Sequence, residues 1–460
     1  MQQILRRFLS VVPLLLVAGA LMAQTTRWRA IHDVKKKETL FGIAQTYGVT
    51  VDDLKAANPE MEKPGYKLRK GDTVFVPFPS RRNDAQKAGQ AVEQPGERAK
   101  GERQESLGTS ARPIRLGIML PLHNINGDGR RMVEYYRGVL MACDSLKQLG
   151  VSIDIHAWNV PDNADILAIL DDPDAARQDM IIGPLYSKQM RPLSEFVSAH
   201  NILLMIPFSI NAPELYTNRN IFQVYQNATE QNEATVRRAC DWFKDYHPVI
   251  IDCNDSLSNK GTFTSSLRRE LEVRGVKYRV TSLTSTSNFM SAFSMTKPNL
   301  VVLNSARLQS LNSVMGMLSS VSLMKPEMRI SMLGYTDWLL YANRQMENMF
   351  KYDVYVPSTF YTNLSSDDTR RLQQKYRWNF HQDMMATMPR FALTGFDHAF
   401  FFLSGLKKYG KRFDGATGRL GYQPVQTPLK FERIGNGGLQ NRAYMFVHYK
   451  PDHTIETINY

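Results

Sequence analysis

The sequence predicts an α/β protein: a small polar module ahead of a large body built from two doubly wound halves. Three observations carry this. Residues 113–460 alternate short apolar runs with segments of helical period, the pattern of parallel strands joined by crossover helices. That alternation restarts near residue 228, which divides the body in two. Residues 31–77 have a different rhythm: one short alternating strand, two brief helices and a closing strand.

The chain opens with an expected secretory signal over residues 1–23. Arg6 and Arg7 precede an apolar core from Phe8 to Val17, and Ala18-Gly19-Ala20 and Ala23-Gln24 offer small-residue cleavage sites. The apolar run is too short to span a bilayer. No cysteine lies near the cleavage point, so the expectation is an exported chain in the periplasm or cell envelope that is not a lipoprotein. No later apolar run is long enough for a membrane helix.

The small module follows, within residues 30–78. Ile31 and Val34 mark its first strand. Thr39 is placed to cap the first helix, whose apolar residues are Leu40, Ile43, Ala44 and Tyr47. Gly48 ends it. A second helix follows Thr50 with Val51, Leu54 and Ala57 turned inward. Asn58-Pro59 stops it, because a residue before proline is pushed out of the helical region. Lys70-Gly71-Asp72 turns the chain into a strand from Thr73 to Pro77. These residues resemble a LysM module, the small βααβ unit that binds peptidoglycan. The likeness rests on Thr39-Leu40, Ile43-Ala44, Tyr47-Gly48-Val49, Asn58-Pro59, Leu68, Gly71 and Val76-Pro77. It implies a groove for N-acetylglucosamine with Lys37, Glu38, Thr39 and Leu40 on one wall and Asn58, Pro59, Glu60 and Met61 on the other. Lys37-Glu38 stands where the family has Gly-Asp, which narrows the backbone approach to a sugar.

Residues 79–112 carry both charges and almost no large apolar side chains. Such a stretch cannot bury enough surface to offset ordering entropy, so it is expected to be a disordered linker.

The body begins with the apolar run Ile114–Leu120, the mark of a strand buried on both faces. A helix through Val133, Val139 and Leu146 follows, then strands at 152–158, 179–184 and 202–208 with helices between them. In the second half, strands are expected at 249–252, 278–283, 299–304 and 330–333. Open α/β sheets bind ligands at the carboxyl ends of their strands. The cleft wall is therefore expected to hold Leu122, His123, Ser187, Ser209, Asn211, Cys253, Asn254, Ser305 and Tyr335 to Asp337.

The body resembles the type I periplasmic binding proteins. Ile182-Gly183-Pro184 with Ser187, Ile206-Pro207 with Ala212-Pro213-Glu214-Leu215, and Leu393-Thr394-Gly395-Phe396-Asp397-His398-Ala399 running on to Tyr409-Gly410 carry the likeness. It implies a two-lobed doubly wound fold with three crossover strands. Lobe 1 is expected at about 113–227 and 360–420, and lobe 2 at about 228–358 and 424–460. The crossings are placed near 225–230, 356–362 and 418–426. By the same likeness Ser187 and Ser209 are candidates to hold a ligand carboxylate, with Phe208 bulky beside them. Asp337 and Asp255 are candidates to meet a ligand amine.

Composition narrows the function. The net charge is +13, but its lysines and arginines are scattered without a recognition motif, so nucleic acid is not an expected partner. Acidic envelope polymers suit such a charge better. Cys143, Cys240 and Cys253 form no disulfide framework and are expected to be buried thiols; Cys240 and Cys253 are near enough in the predicted fold to leave a bridge open. No nucleophile elbow, phosphate loop or metal signature is present, so neither catalysis nor a cofactor or metal is expected. The expected function is a non-catalytic peptidoglycan-binding envelope protein. Its receptor-like body would bind a protein partner or small ligand, with regulation of wall synthesis as one role. The sequence leaves a second reading open: a solute-binding receptor for an amino-acid-type importer, tethered to the wall.

Overall fold

The computed structural model describes residues 28–34, 38–47, 49–58, 61, 66, 68–69, 73–77, 112–209, 211–415 and 421–460. The expected signal, and the linker apart from Arg112, lie outside them. The chain divides into two compact units, one ending at Ser106 and one starting at Leu107.

The small unit is the expected βααβ arrangement. Strand β1 (Trp28–Asp33) pairs antiparallel with β2 (Thr73–Pro77), with Ile31 opposite Phe75. Between them run helices α1 (Leu40–Tyr47) and α2 (Val51–Ala57). Thr50 caps α2 in a reciprocal box: its hydroxyl accepts from the Asp53 amide at 3.0 Å, and its own amide donates to the Asp53 carboxylate at 3.1 Å. Val34, Ile43, Ala44, Val49, Leu54, Met61, Val74 and Val76 form a compact core.

The large unit contains two seven-stranded sheets. The first half of its chain gives β3 (Ile114–Leu120), α3 (Gly127–Gln148), β4 (Ile153–Asn159), α4 (Ile166–Leu170), β5 (Met180–Ile182), α5 (Met190–Ala199), β6 (Leu203–Ile206) and β7 (Ile221–Gln223). The chain then crosses to build α6 (Ala228–Trp242), β8 (His247–Asp252), α7 (Gly261–Val273), β9 (Arg279–Ser282), α8 (Thr286–Ser291), β10 (Asn299–Leu303), α9 (Leu308–Met324), β11 (Ile330–Leu333), α10 (Ala342–Lys351) and β12 (Val354–Ser358). It returns for α11 (Asp367–Phe380) and α12 (Phe391–Tyr409), then lays down β13 (Phe431–Arg433) and β14 (Leu439–Asn441). A last crossing leads to β15 (Met445–Tyr449) and β16 (Ile455–Asn459).

Sheet order is β13-β14-β7-β6-β5-β3-β4 in lobe 1 and β16-β15-β12-β11-β10-β8-β9 in lobe 2. Each sheet is parallel through its middle and antiparallel at one edge. The central parallel strands are buried along most of their length, as near-continuous apolar runs require. In lobe 1, α3 and α12 cross so closely that a Cβ added at Gly138 would lie 1.9 Å from the Ala392 carbonyl oxygen. One added at Gly395 would lie 2.0 Å from that of Tyr135. Only glycine fits at either position.

The first two crossings leave β7 at residues 224–227 and β12 at residues 359–362, against expected positions near 225–230 and 356–362. The third differs from the expected 418–426. The hairpin of β13 and β14 joins the lobe 1 sheet, with β14 parallel to β7, so residues 424–441 belong to lobe 1 and the crossing lies between Asn441 and Met445. An alternating hairpin carries no record of which sheet edge it completes. Pairing to β7 is set by chain geometry far away in sequence.

Candidate functional site

Two sites were expected, one in each unit. In the small unit, Thr39 begins α1, with its hydroxyl accepting from the Gly42 amide at 3.1 Å. Glu38 is half-buried and bonds His32 Nε2 at 2.7 Å, while His32 Nδ1 lies 3.1 Å from the Tyr47 hydroxyl. This chain of three side chains braces the first wall against α1. Leu40 packs on the core and Phe41 is exposed. The second wall needs correction. Asn58 is fully buried and donates from Nδ2 to the Leu54 carbonyl at 2.7 Å, and Met61 lies in the core. Both side chains turn inward because they close the end of α2, so neither offers its side chain to a sugar. Lys37, Pro59 and Glu60 lie outside the described residues.

In the large unit, a cavity of about 520 Å³ lies between the lobes, beside the crossings. Lobe 1 contributes Pro207 and Phe208 after β6, and Met388, Pro389, Phe391, Thr394 and His398 from the start of α12. Lobe 2 contributes Gln231, Thr336, Asp337 and Leu340. The crossing segments add Val224, Tyr225, Gln226, Thr359 and Phe360, with Thr427 and Asn441 from the strand-bearing tail.

Of the cleft residues singled out from sequence, Thr336 and Asp337 line this cavity. Asp337 is ion-paired to Lys260 Nζ at 3.0 Å, and that ammonium also stands 5.2 Å over the Tyr335 ring. Tyr335 is buried and donates to the Leu303 carbonyl. Tyr335 and Asp337 share a second cavity of about 400 Å³ with residues of α6 and α7. The Ser187 and Ser209 hydroxyls lie 3.2 Å apart and bond each other. Ser305 is fully buried and donates to Asp255 at 2.7 Å, where Arg307 also bonds the carboxylate at 2.9 Å. That set of partners holds Asp255 below the usual carboxylate range, the Ser305 hydroxyl foremost. His123 packs against the first turn of α3 beside Gly129, and Asn211 is exposed. These five residues therefore stay off the cavity wall, and the three serines fasten loops at the strand ends. Residue type at a strand end says that a side chain is near the cleft; it does not say which way the loop turns it.

The cavity wall is mostly apolar. Phe208 meets Tyr135 edge-on at 5.3 Å and Phe391 at 5.5 Å. Behind it, His398 is buried, and its Nδ1 lies 3.0 Å from the Tyr135 hydroxyl. Burial pushes the His398 imidazole down to about 3, so it is neutral near pH 7. Next to it in α12, Asp397 accepts from the amides of Val425, Gln426 and Thr427, each at 2.8 Å, and from the Tyr422 hydroxyl. Burial raises it to about 6 against the pull of those four donors. Gln426 ties this segment to the second crossing by accepting from the Tyr361 amide at 2.9 Å. Gln226 ties the first crossing to the third by donating to the Ala443 carbonyl at 3.0 Å.

Little here is poised for covalent chemistry. Burial holds the Cys143 thiol up at about 12 and those of Cys240 and Cys253 at about 11, so all three stay protonated and weakly nucleophilic. They are free cysteines. Among the described residues no group of three or more His, Cys, Asp or Glu side chains could hold a metal ion.

Comparison with known proteins agrees with both halves of the fold. A family model described as periplasmic binding protein matches residues 174–432, more than half of the chain. The chain belongs to the periplasmic binding protein family. Ahead of that domain, a LysM domain model matches residues 32–77. Among solved structures, the periplasmic-binding-protein body is similar to a candidate branched-chain amino acid ABC transporter from Rhodospirillum rubrum. The identity is 14%, over 75% of this chain and all of that one, with a TM-score of 0.52. Full-length LpoA from Haemophilus influenzae matches 75% of this chain and 59% of its own at 11% identity, TM-score 0.47. A substrate-binding protein from Desulfitobacterium hafniense in complex with Leu matches at 13% identity over 75% of this chain and all of its own, TM-score 0.39. Identities this low concern fold alone. The search of curated proteins gave no match. No helix among the described residues is long and apolar enough to cross a membrane.

Proposed function

We propose that this protein is a non-catalytic envelope component that docks on peptidoglycan through its LysM domain and uses its two-lobed body for recognition. The observation that carries the reading is the pairing in one chain of a LysM match at residues 32–77 with a periplasmic binding protein body. Supporting it, the ionisable groups at the interlobe cavity are neutral or compensated: His398 is uncharged near pH 7, and Asp337 is paired with Lys260. Glu38, Thr39 and Leu40 are the described residues available for the sugar groove, with Lys37, Pro59 and Glu60 as further candidates.

An amino-acid importer receptor is the less supported role for the body. Ser187 and Ser209, the two hydroxyls expected to take a ligand carboxylate, bond each other. The full chain should pellet with purified peptidoglycan and be released by chitin oligomers. A chain that stays in the supernatant at low and high salt alike ends the docking proposal. A pellet that salt disperses and chitin oligomers leave intact would mean that the basic surface alone is responsible.

A further inference from the structure

Pro207 and Phe208 follow β6 and Val224 follows β7 on the wall of the interlobe cavity, so the strands of lobe 1 begin at the far end of their sheet. That far end gathers positive charge. Helix α12 starts at the cavity with Phe391 and Thr394 and brings Lys407 and Lys408 to the far end in its last turn, with Lys411 and Arg412 just after. All four are exposed. Lys411 Nζ donates to the carbonyl of Asn201, between α5 and β6. Helices α12 and α5 pack in different hydrophobic layers, so the tail of α12 wraps under the sheet where β6 begins. Lys147 is exposed at the end of α3, and Arg219 is exposed just ahead of β7. Among the described residues, Lys147, Arg219, Lys407 and Arg412 form no ion pair. Nearby carboxylates are already taken: Asp179 lies 2.6 Å from Arg112 and 3.8 Å from Arg115, and Asp144 lies 2.9 Å from Lys375. Asp414 is the only acidic residue between Phe400 and Leu420. Cations at a helix C-terminus offset its dipole, which accounts for Lys147, Lys407 and Lys408. It does not account for Arg219 and Arg412, which lie beyond the ends of the long helices.

We propose that this end of lobe 1 is a docking surface for peptidoglycan, taking the carboxylates of its stem peptides, and is distinct from the sugar groove of the LysM domain. Charge complementarity is the first argument. The cations are spread over helix ends and a strand start without an enclosed pocket, which fits a polymer with repeated charges better than a single small anion. The second argument selects the polymer. The chain enters the body at this same end, where Arg112 bonds Asp179 and Ile114 opens β3. The residues that follow the LysM domain therefore join the body beside these cations. A polymer gripped by the LysM domain presents its carboxylates to the tethered body at high effective concentration. Exposed ion pairs that are weak singly then count together. This inference rests on reading the LysM match as peptidoglycan docking, and it adds a second contact made by the body.

The test is pelleting of the full chain with purified peptidoglycan at about 20 mM and about 300 mM salt, with excess chitin oligomers present to fill the LysM groove. The parent should still bind at low salt and release at high salt. Lys407→Gln, Lys411→Gln and Arg412→Gln together should weaken that low-salt binding about fivefold or more. A second variant, Lys407→Glu with Arg412→Glu, spares the Lys411 contact to Asn201 and should lose at least as much. The control removes the same charge from lobe 2: Lys297, Lys325 and Arg329 are exposed near the starts of β10 and β11. Changing all three to glutamine should weaken binding less than about twofold. Amidating the peptidoglycan carboxylates should abolish it. No low-salt binding by the parent, equal loss in the lobe 1 and lobe 2 variants, or binding that survives amidation overturns the proposal. So does binding to phosphatidylglycerol vesicles through Lys407 and Arg412 without binding to peptidoglycan. The LysM reading is scored separately, at about 300 mM salt without oligomers, where every variant should pellet like the parent. Loss of pelleting there by the parent would sink LysM docking and leave the low-salt result standing.

Discussion

The two lobes share a plan and differ in what they bury. Lobe 2 closes around an apolar core that includes Trp338, Phe289, Leu318 and Phe446. Its buried histidine, His448, sits at the sheet edge between Asp353 at 2.6 Å and Glu456 at 3.1 Å, where solvent reaches the carboxylates. Lobe 1 places Glu134, Asp397 and His398 deep in the α3–α12 layer. Glu134 accepts from the Tyr376 hydroxyl and the Met385 amide. Lobe 1 also brings two helix backbones together through Gly138 and Gly395. The difference teaches that similar strand order does not mean similar energetics. Lobe 1 buries carboxylates and a histidine beside the cavity, whereas lobe 2 keeps its ion-paired histidine away from it.

The largest effect that would break this contrast is at the helix crossing. Gly395→Ala should destabilise lobe 1 by more than about 3 kcal/mol, because its Cβ meets backbone that cannot rotate away. Chemical denaturation should show it; a loss below about 1 kcal/mol would mean that the helices slide apart freely. Next, Asp397→Ala should cost about 3 kcal/mol by leaving three amides and the Tyr422 hydroxyl without their acceptor. The same substitution should speed hydrogen exchange at residues 425–427. Unchanged exchange there would show that Asp397 does not hold the segment.

Acid should act on lobe 1 in opposite directions through two neighbouring buried groups. The folded His398 value, about 3, lies below its ordinary 6.5. Its contribution is therefore present above pH 6.5 and is lost as pH falls toward 3. Asp397, raised to about 6 from 3.8, acts oppositely: its contribution is full below pH 3.8 and is lost as pH rises through 6. Between pH 6 and 3.8 the two slopes oppose and nearly cancel, so His398→Gln should leave Asp397's slope alone, and the variant's melting temperature should rise relative to the parent's as pH falls across that window. An identical slope in the variant would place the acid-sensitive group elsewhere. The smallest effect belongs to lobe 2. Gly316 is on the exposed face of α9 with open space at its Cβ position, so Gly316→Ala should stabilise by about 0.5–1 kcal/mol. The opposite outcomes of one substitution at residues 316 and 395 are the clearest measure of the contrast.

Much of this was legible in the chain. The LysM pattern, the buried parallel strands and the restart of the alternation follow from apolar period and from stop signals such as Asn58-Pro59, which act locally. The candidate site was less legible. Ser187, Ser209 and Ser305 were rightly placed near strand ends, yet their hydroxyls meet Ser209, Ser187 and Asp255 in place of the cavity. Gln226, His398 and Thr427 gave no signal, since a glutamine at a strand exit, a histidine in an apolar helix and a threonine before proline are each ordinary.

By itself, the sequence determined the order of modules, the class of the fold and the absence of charge clusters suited to nucleic acid, because periodicity and composition are written residue by residue. The tertiary structure alone decided that β13 and β14 complete lobe 1, that Asn58 and Met61 face inward, and that three distant side chains meet at one cavity. Such facts depend on contacts between residues up to some two hundred positions apart, and no local pattern encodes the direction in which a folded loop turns its side chains.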